Sequence, residues 1–219
     1  EDLYADAFNR LIDTVISLSN EHPADLNKRE RAWMKLWEGH ARAYRSLRES
    51  RFGSFTSALK QAFEARSCYE EGLAFDSTLY DLHGGLGMFH YWKSAKAGIL
   101  RWIGLFKNEK EKGIREIQLA VDSSVISSRI ARNAMIWIWL DMKEYDSAVA
   151  ACQSMLERYP NGKLFLWPLA EAYFKSDKYH LAAETGTGQS FDLVTRYNEV
   201  NVMGTAHLIE AIRAQVMEQ

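Results

Sequence analysis

His83 and His90 are the side chains best spaced for chemistry. They lie seven residues apart, near one face of a helix, with Asp81 and Tyr91 beside them. A pocket near His83, His90 and Tyr91 would be the place for a small ligand or for acid–base work. The constellation stops there. The other histidines, at 22, 40, 180 and 207, form no H-E-x-x-H, and none stands at zinc-ligand spacing from Cys68 or Cys152. His83-Gly84-Gly85 could offer backbone N–H groups to an oxyanion only beside a G-x-S-x-G nucleophile elbow, which the chain does not contain. Gly186 and Gly188 suggest a phosphate loop, but the lysine and the preceding strand are missing. The expectation is a non-catalytic chain with no metal and no cofactor.

The elements that would position any site are clearest between Arg129 and Ala183. Met135, Trp139, Tyr145 and Ala148 recur as Leu169, Tyr173, Tyr179 and Ala182, each ~34 residues on, the period of a stacked helix–turn–helix. In each copy an apolar helix leads through a polar turn, 141–144 and then 175–178, into a second helix opened by Tyr. Tyr145, Ala148, Val149, Cys152, Met155, Leu156 and Tyr159 put their apolar groups on one helical face, and Pro160-Asn161-Gly162 ends the run. Tyr145, Ala148, Tyr179 and Ala182 are expected to be buried between helices.

In these segments the chain resembles the tetratricopeptide repeats. Tyr145, Ala148 and Pro160 match that family's pattern, as do Leu169, Ala170, Tyr173, Tyr179 and Ala182. Two residues depart from it. Ile136 stands where the family prefers a small side chain. Pro168 falls inside a first helix, where its clash with the Leu164 carbonyl should kink the helix or delay its start. The resemblance implies an all-α fold, an α-α superhelix of helical hairpins, and a concave groove that binds a protein or peptide. The groove face of the first helices would carry Asn133, Trp137, Leu140 and Asp141 in one copy. Trp167, Glu171, Phe174 and Lys175 follow in the next, with Met88 and Tyr91 continuing the row before them.

The remainder reads as more of the same domain, taken as one over residues 1–219, with its clearest repeats at 129–162 and 163–190. Helical stripes cover 3–18, 26–50, 54–75, 80–92 and 113–121; residues 93–112 read as an insertion and 192–217 as a terminal cap. Only three Pro and 13 Gly among 219 residues argue against a β-sandwich or a disordered chain. The charged side of 26–50 (Lys28, Glu30, Arg31, Lys35, Glu38, Arg42, Arg45, Glu49) interleaves acids with bases. With a net charge of −2 it reads as a solvated face rather than a nucleic-acid stripe. Three glycines within 80–92 would each cost about 1 kcal/mol in a helix, and close packing is the natural compensation. The Trp-rich, partly basic stretch 92–106 offers an alternative as a membrane-surface helix. Cys68 and Cys152 are expected to be buried free thiols. The chain opens at Glu1, so the compartment is an open expectation: a soluble protein exported or in the cell envelope with its signal removed, or otherwise cytoplasmic.

Overall fold

Asn27 shows how locally the helix starts are written. Its side chain accepts from the Glu30 N–H at 3.0 Å while the Glu30 carboxylate accepts from the Asn27 N–H at 2.7 Å, a reciprocal cap that opens the longest helix. The computed structural model describes residues 4–21, 26–96, 107–160, 162–182, 184 and 185, and among these every regular element is helical. They are α1 (Ala5–Asn20), α2 (Lys28–Phe52), α3 (Phe55–Phe75), α4 (Asp81–Lys96), α5 (Lys110–Ser123), α6 (Ser128–Asp141), α7 (Tyr145–Arg158), α8 (Lys163–Lys175) and α9 (Tyr179–Ala182). The protein is therefore all-α, built from helices packed in adjacent pairs. The ends of the expected insertion are helical, since α4 runs on to Lys96 and α5 opens at Lys110. Its middle, the Gly186–Gly188 stretch and the expected cap at 192–217 lie outside the described residues. The described chain forms two compact units, one ending at Ser128 and one beginning at Arg129.

In the first unit α1 lays Phe8 and Ile12 against Ala41 of α2, with Val15 and Tyr44 at the margin. A second core joins α2, α3 and α4 through Ala32, Leu36, Ala65, Tyr69, Leu79, Leu82 and Leu86. Glycines bring these helices together. A Cβ on Gly39 would stand 2.4 Å from the Tyr69 ring, and one on Gly85 would stand 2.3 Å from it. The phenol therefore lies between the backbones of α2 and α4. Gly87 and Gly113 meet where α4 crosses α5, each blocking a Cβ on the other at 2.6 Å from its carbonyl oxygen. The close packing expected of the glycine-rich helix is present, and tight contact offsets the helical cost.

One expectation for this unit is overturned. The charged side of α2 is not simply solvated, because α3 covers part of it and Glu38 is only 4% exposed. Its carboxylate takes Lys35 at 3.0 Å and the Arg42 guanidinium at 2.8 Å; Lys35 also reaches Glu71 at 2.8 Å and Arg42 reaches Glu64 at 2.5 Å. Burial opposes ionisation of Glu38, but the hydrogen bonds from Lys35 and Arg42 outweigh it and hold the carboxyl below its usual range.

The second unit carries the ~34-residue recurrence down to single hydrogen bonds. After α6, Lys143 N–H donates to the Leu140 carbonyl (3.2 Å) and Glu144 N–H to the Trp139 carbonyl (2.8 Å). After α8, Asp177 N–H donates to Phe174 (3.2 Å) and Lys178 N–H to Tyr173 (2.9 Å), the same closure one repeat on. Lys143 at φ 63° and Asp177 at φ 61° both take the left-handed conformation this closure needs. Ile136, Leu140, Ala148, Cys152, Phe165, Leu169, Ala172, Tyr173 and Ala182 form the core. Ile136 is fully buried there, and the small Ala148, Cys152 and Ala172 make room for it. Both cysteines are buried free thiols, and burial pushes each up to about 12.

Pro168 does not delay α8, which begins at Lys163. Lacking an N–H, it leaves the Leu164 carbonyl without its helical donor. The Asn133 side-chain amide supplies one from α6 at 2.8 Å.

Two outcomes follow from these turns. Lys143→Gly is expected to raise stability by about 0.5–1 kcal/mol, because glycine takes positive φ without strain. Asp177→Gly should gain less, since Asp177 accepts from the Tyr179 hydroxyl at 2.6 Å. A lower urea midpoint for Lys143→Gly would refute the strain argument. Asn133→Ala should cost about 1 kcal/mol in wild type and close to nothing in Pro168→Ala, where residue 168 regains an N–H for Leu164. Equal costs in both backgrounds would mean that Asn133 does something else.

Candidate functional site

Helices α6 and α8 follow one another with a returning helix between them, so they run in the same sense. The Asn133–Leu164 bond sets their register. Trp137 stands about one turn beyond Asn133 on α6, and Trp167 and Pro168 about one turn beyond Leu164 on α8. Trp137, Trp167 and Glu171 are half-buried, whereas Asp141, Phe174 and Lys175 are exposed. Lys175 pairs with Glu171 at 2.9 Å. Phe174 meets Tyr179 edge-to-face at 5.4 Å. The strip combines aromatic surface with a carboxylate, an ion pair and the backbone-bound Asn133.

Three sequence-based assignments need correction. Leu140 is 4% exposed and belongs to the core of the second unit, not to its surface. Tyr91 is wholly buried. The Gly113 crossing brings α5 onto its backbone, and the Lys110 ammonium lies over its ring at 5.1 Å. Neither residue can touch a partner. Met88 is half-buried and lies in the first unit. Tyr179 is 56% exposed rather than buried. Its helix has only four residues; Ala182 enters the core, while Tyr179 leans out onto Phe174. Its counterpart Tyr145 is half-buried, and Ala148 and Ala182 are buried as expected.

Of the histidine pair, His90 has a structural role. His90 Nδ1 meets the Glu116 carboxylate at 2.5 Å, and Nε2 meets Lys112 Nζ at 3.2 Å. A neutral ring satisfies both, donating from Nδ1 to Glu116 and accepting at Nε2 from the lysine ammonium. With both nitrogens used and the side chain 2% exposed, His90 has no valence left for a substrate. The ring joins α4 to α5. Asp81, the acid nearest the histidines in sequence, is also occupied. Its buried carboxylate accepts the N–H groups of Val125, Ile126 and Ser127 at 2.9, 2.9 and 2.8 Å. Nothing in the sequence separates this acid from any other in the first turn of a helix. His83 stacks on Tyr80 at 6.0 Å, and burial lowers its pKa. Among the described residues no group of three or more His, Cys, Asp or Glu side chains is placed to hold a metal ion.

His40, assigned no role by the sequence, accepts at Nδ1 from the Tyr69 hydroxyl across 2.9 Å. Burial pushes the Tyr69 phenol well above its ordinary value, so the O–H stays in place to donate. Burial lowers His40 to about 4, with Asp81 pulling weakly the other way. The unfolded chain then takes up a proton near pH 6.5 that the folded chain refuses until about pH 4. Above pH 6.5 His40 adds no pH dependence. As pH falls through this window stability should drop by up to about 3 kcal/mol, and His40→Gln should remove that component. Denaturation curves whose slope against pH is the same in both proteins would refute it. No protein-family model, curated protein or solved structure matches the chain.

Proposed function

We propose that this chain is a non-catalytic interaction module of tetratricopeptide-like hairpins that holds a peptide or partner protein along the α6–α8 strip. The observation that carries the reading is that Trp137 and Trp167 are each half-buried on two first helices joined by the Asn133–Leu164 bond. A large aromatic held on one side by its own core presents a rigid apolar face at little entropic cost, which is how interface anchors act. On the same two helices Asp141 and the Glu171–Lys175 pair offer orienting polar groups, and exposed Phe174 adds apolar surface. The turn closure repeated after α6 and α8 supports the hairpin reading, because it holds both first helices in equivalent surroundings. The closed hydrogen bonding of His90 and Asp81 counts against a ligand pocket at that position.

The test begins with capture from a native lysate and identification of what is retained. Against that partner, Trp137→Ala and Trp167→Ala should each weaken binding by about 2 kcal/mol or more. Asp146→Ala, exposed and away from the strip, should leave it unchanged. Lys175→Glu, which reverses a surface charge without opening the core, is expected to weaken it too. Unaltered affinity in both tryptophan variants and in Lys175→Glu, with helical content intact by circular dichroism, would remove the strip from consideration.

A further inference from the structure

One side of α2 carries a run of aromatic rings that ends at the buried phenol of Tyr69 on α3. Trp33, Trp37 and His40 follow one another at spacings of four and three residues, which sets them on the same side of the helix. Each ring touches the next. The indoles of Trp33 and Trp37 are stacked with centroids 6.0 Å apart, Trp37 meets His40 edge-on at 6.2 Å, and His40 meets Tyr69 edge-on at 5.6 Å. These separations are those of aromatic pairs in direct contact. Trp33 and Trp37 are half-buried and keep part of their surface in solvent, whereas Tyr69 is 2% exposed. The run therefore leads from the surface of the first unit into its core.

Tryptophan and tyrosine are among the side chains that lose a single electron most readily. A tyrosine that does so also sheds its proton, because a phenol radical cation is a far stronger acid than an imidazolium. A neutral imidazole within hydrogen-bond reach takes that proton. The Tyr69 O–H already donates to His40 Nδ1 at 2.9 Å, so the base is in place before any electron leaves. Burial keeps the imidazole neutral until the pH nears about 4, and the Asp81 charge favours the imidazolium that a transferred proton would create. The phenol ring cannot swing away. Cβ atoms on Gly39 and Gly85 would stand 2.4 and 2.3 Å from it, so the two helix backbones close on it. Burying a phenol requires a partner for its hydroxyl, but it does not require two indoles in contact with that partner.

We propose that Trp33, Trp37, His40 and Tyr69 form a radical-transfer relay that accepts the oxidising equivalent of a diffusible one-electron radical oxidant and holds it on Tyr69. The oxidant takes one electron from a partly exposed indole and is thereby reduced to its anion. The indole radical cation is refilled by an electron from Tyr69, passed along the ring contacts. As that electron leaves, the phenol O–H bond breaks and an N–H bond forms at His40 Nδ1. The relay ends as a neutral phenoxyl beside an imidazolium, with both indoles restored. A small thiol or another one-electron donor closes the cycle: the phenoxyl regains its electron, and His40 returns the proton to the oxygen. Burial at Tyr69 keeps the phenoxyl from coupling with a second radical in the meantime.

The test is pulse radiolysis of the full chain with the azidyl radical as probe oxidant, followed by absorbance. In wild type the tryptophanyl band should give way to a phenoxyl band in a first-order step that does not depend on protein concentration. Part of the phenoxyl band should persist, and the step that forms it should slow in heavy water because a proton moves with the electron. Tyr69→Phe keeps the ring between the two glycines and should lose the persistent part. Trp33→Phe with Trp37→Phe should lose it too, since no indole then touches His40. His40→Gln still offers the hydroxyl an acceptor but no base, so both the persistent band and the heavy-water effect should disappear. A persistent band unchanged in Tyr69→Phe, in the double tryptophan variant or in His40→Gln, with helical content intact by circular dichroism, would overturn the proposal. A wild-type step equally fast in ordinary and heavy water would overturn it without any variant.

Discussion

The ring of Tyr69 fills the space where two helices would otherwise hold side chains. It lies between Gly39 and Gly85, and its hydroxyl is fixed by His40. A methyl group at either glycine would have to displace the ring, and with it a donor buried among Leu36, Leu79 and Leu82. Each glycine weakens its own helix, yet together they let α2, α3 and α4 converge on a single aromatic. The α4–α5 crossing uses the same device without the ring, backbone against backbone at Gly87 and Gly113. The packing of the first unit is thus governed by absent side chains as much as by present ones.

That dependence explains what could be read from the sequence. Helix positions were legible, because periods of three and four residues and local caps such as Asn27 and Ser54 need no knowledge of neighbours. The recurrence of the turns was legible as spacing, and it survives as two non-glycine residues at positive φ. Facing was harder. Glu38 sits among charges of both signs and reads as solvated, but α3 arrives with Glu64 and Glu71 to complete a network around its two cations. Tyr91 and Leu140 sit at plausible surface positions on their own helices, and only the arrival of a partner element decides against exposure. Tyr179 fails in the opposite direction, turning onto Phe174 rather than into the core that Ala182 enters.

The candidate strip was legible as residue types more than as contacts. Trp137, Trp167, Glu171, Phe174 and Lys175 keep some surface. Asn133 has a second duty that the sequence does not announce, serving the carbonyl stranded by a proline 35 positions further along. One amide thereby joins an irregularity in α8 to α6, one turn before Trp137. The stripe that the sequence shows over 26–50 stops short of the helix, because α2 continues as far as Phe52.

The hairpin of α4 and α5 is clasped at both ends. Asp81 holds residues 125–127 at one end, and at the other the Glu109 N–H donates to the Ser94 hydroxyl at 2.8 Å, beside the Lys93–Glu109 ion pair. A shift of α4 along α5 by one turn would therefore have to break both clasps at once. Between them a single added methyl group at Gly87 has nowhere to go, so the crossing is fixed in register by its ends and in distance by its middle.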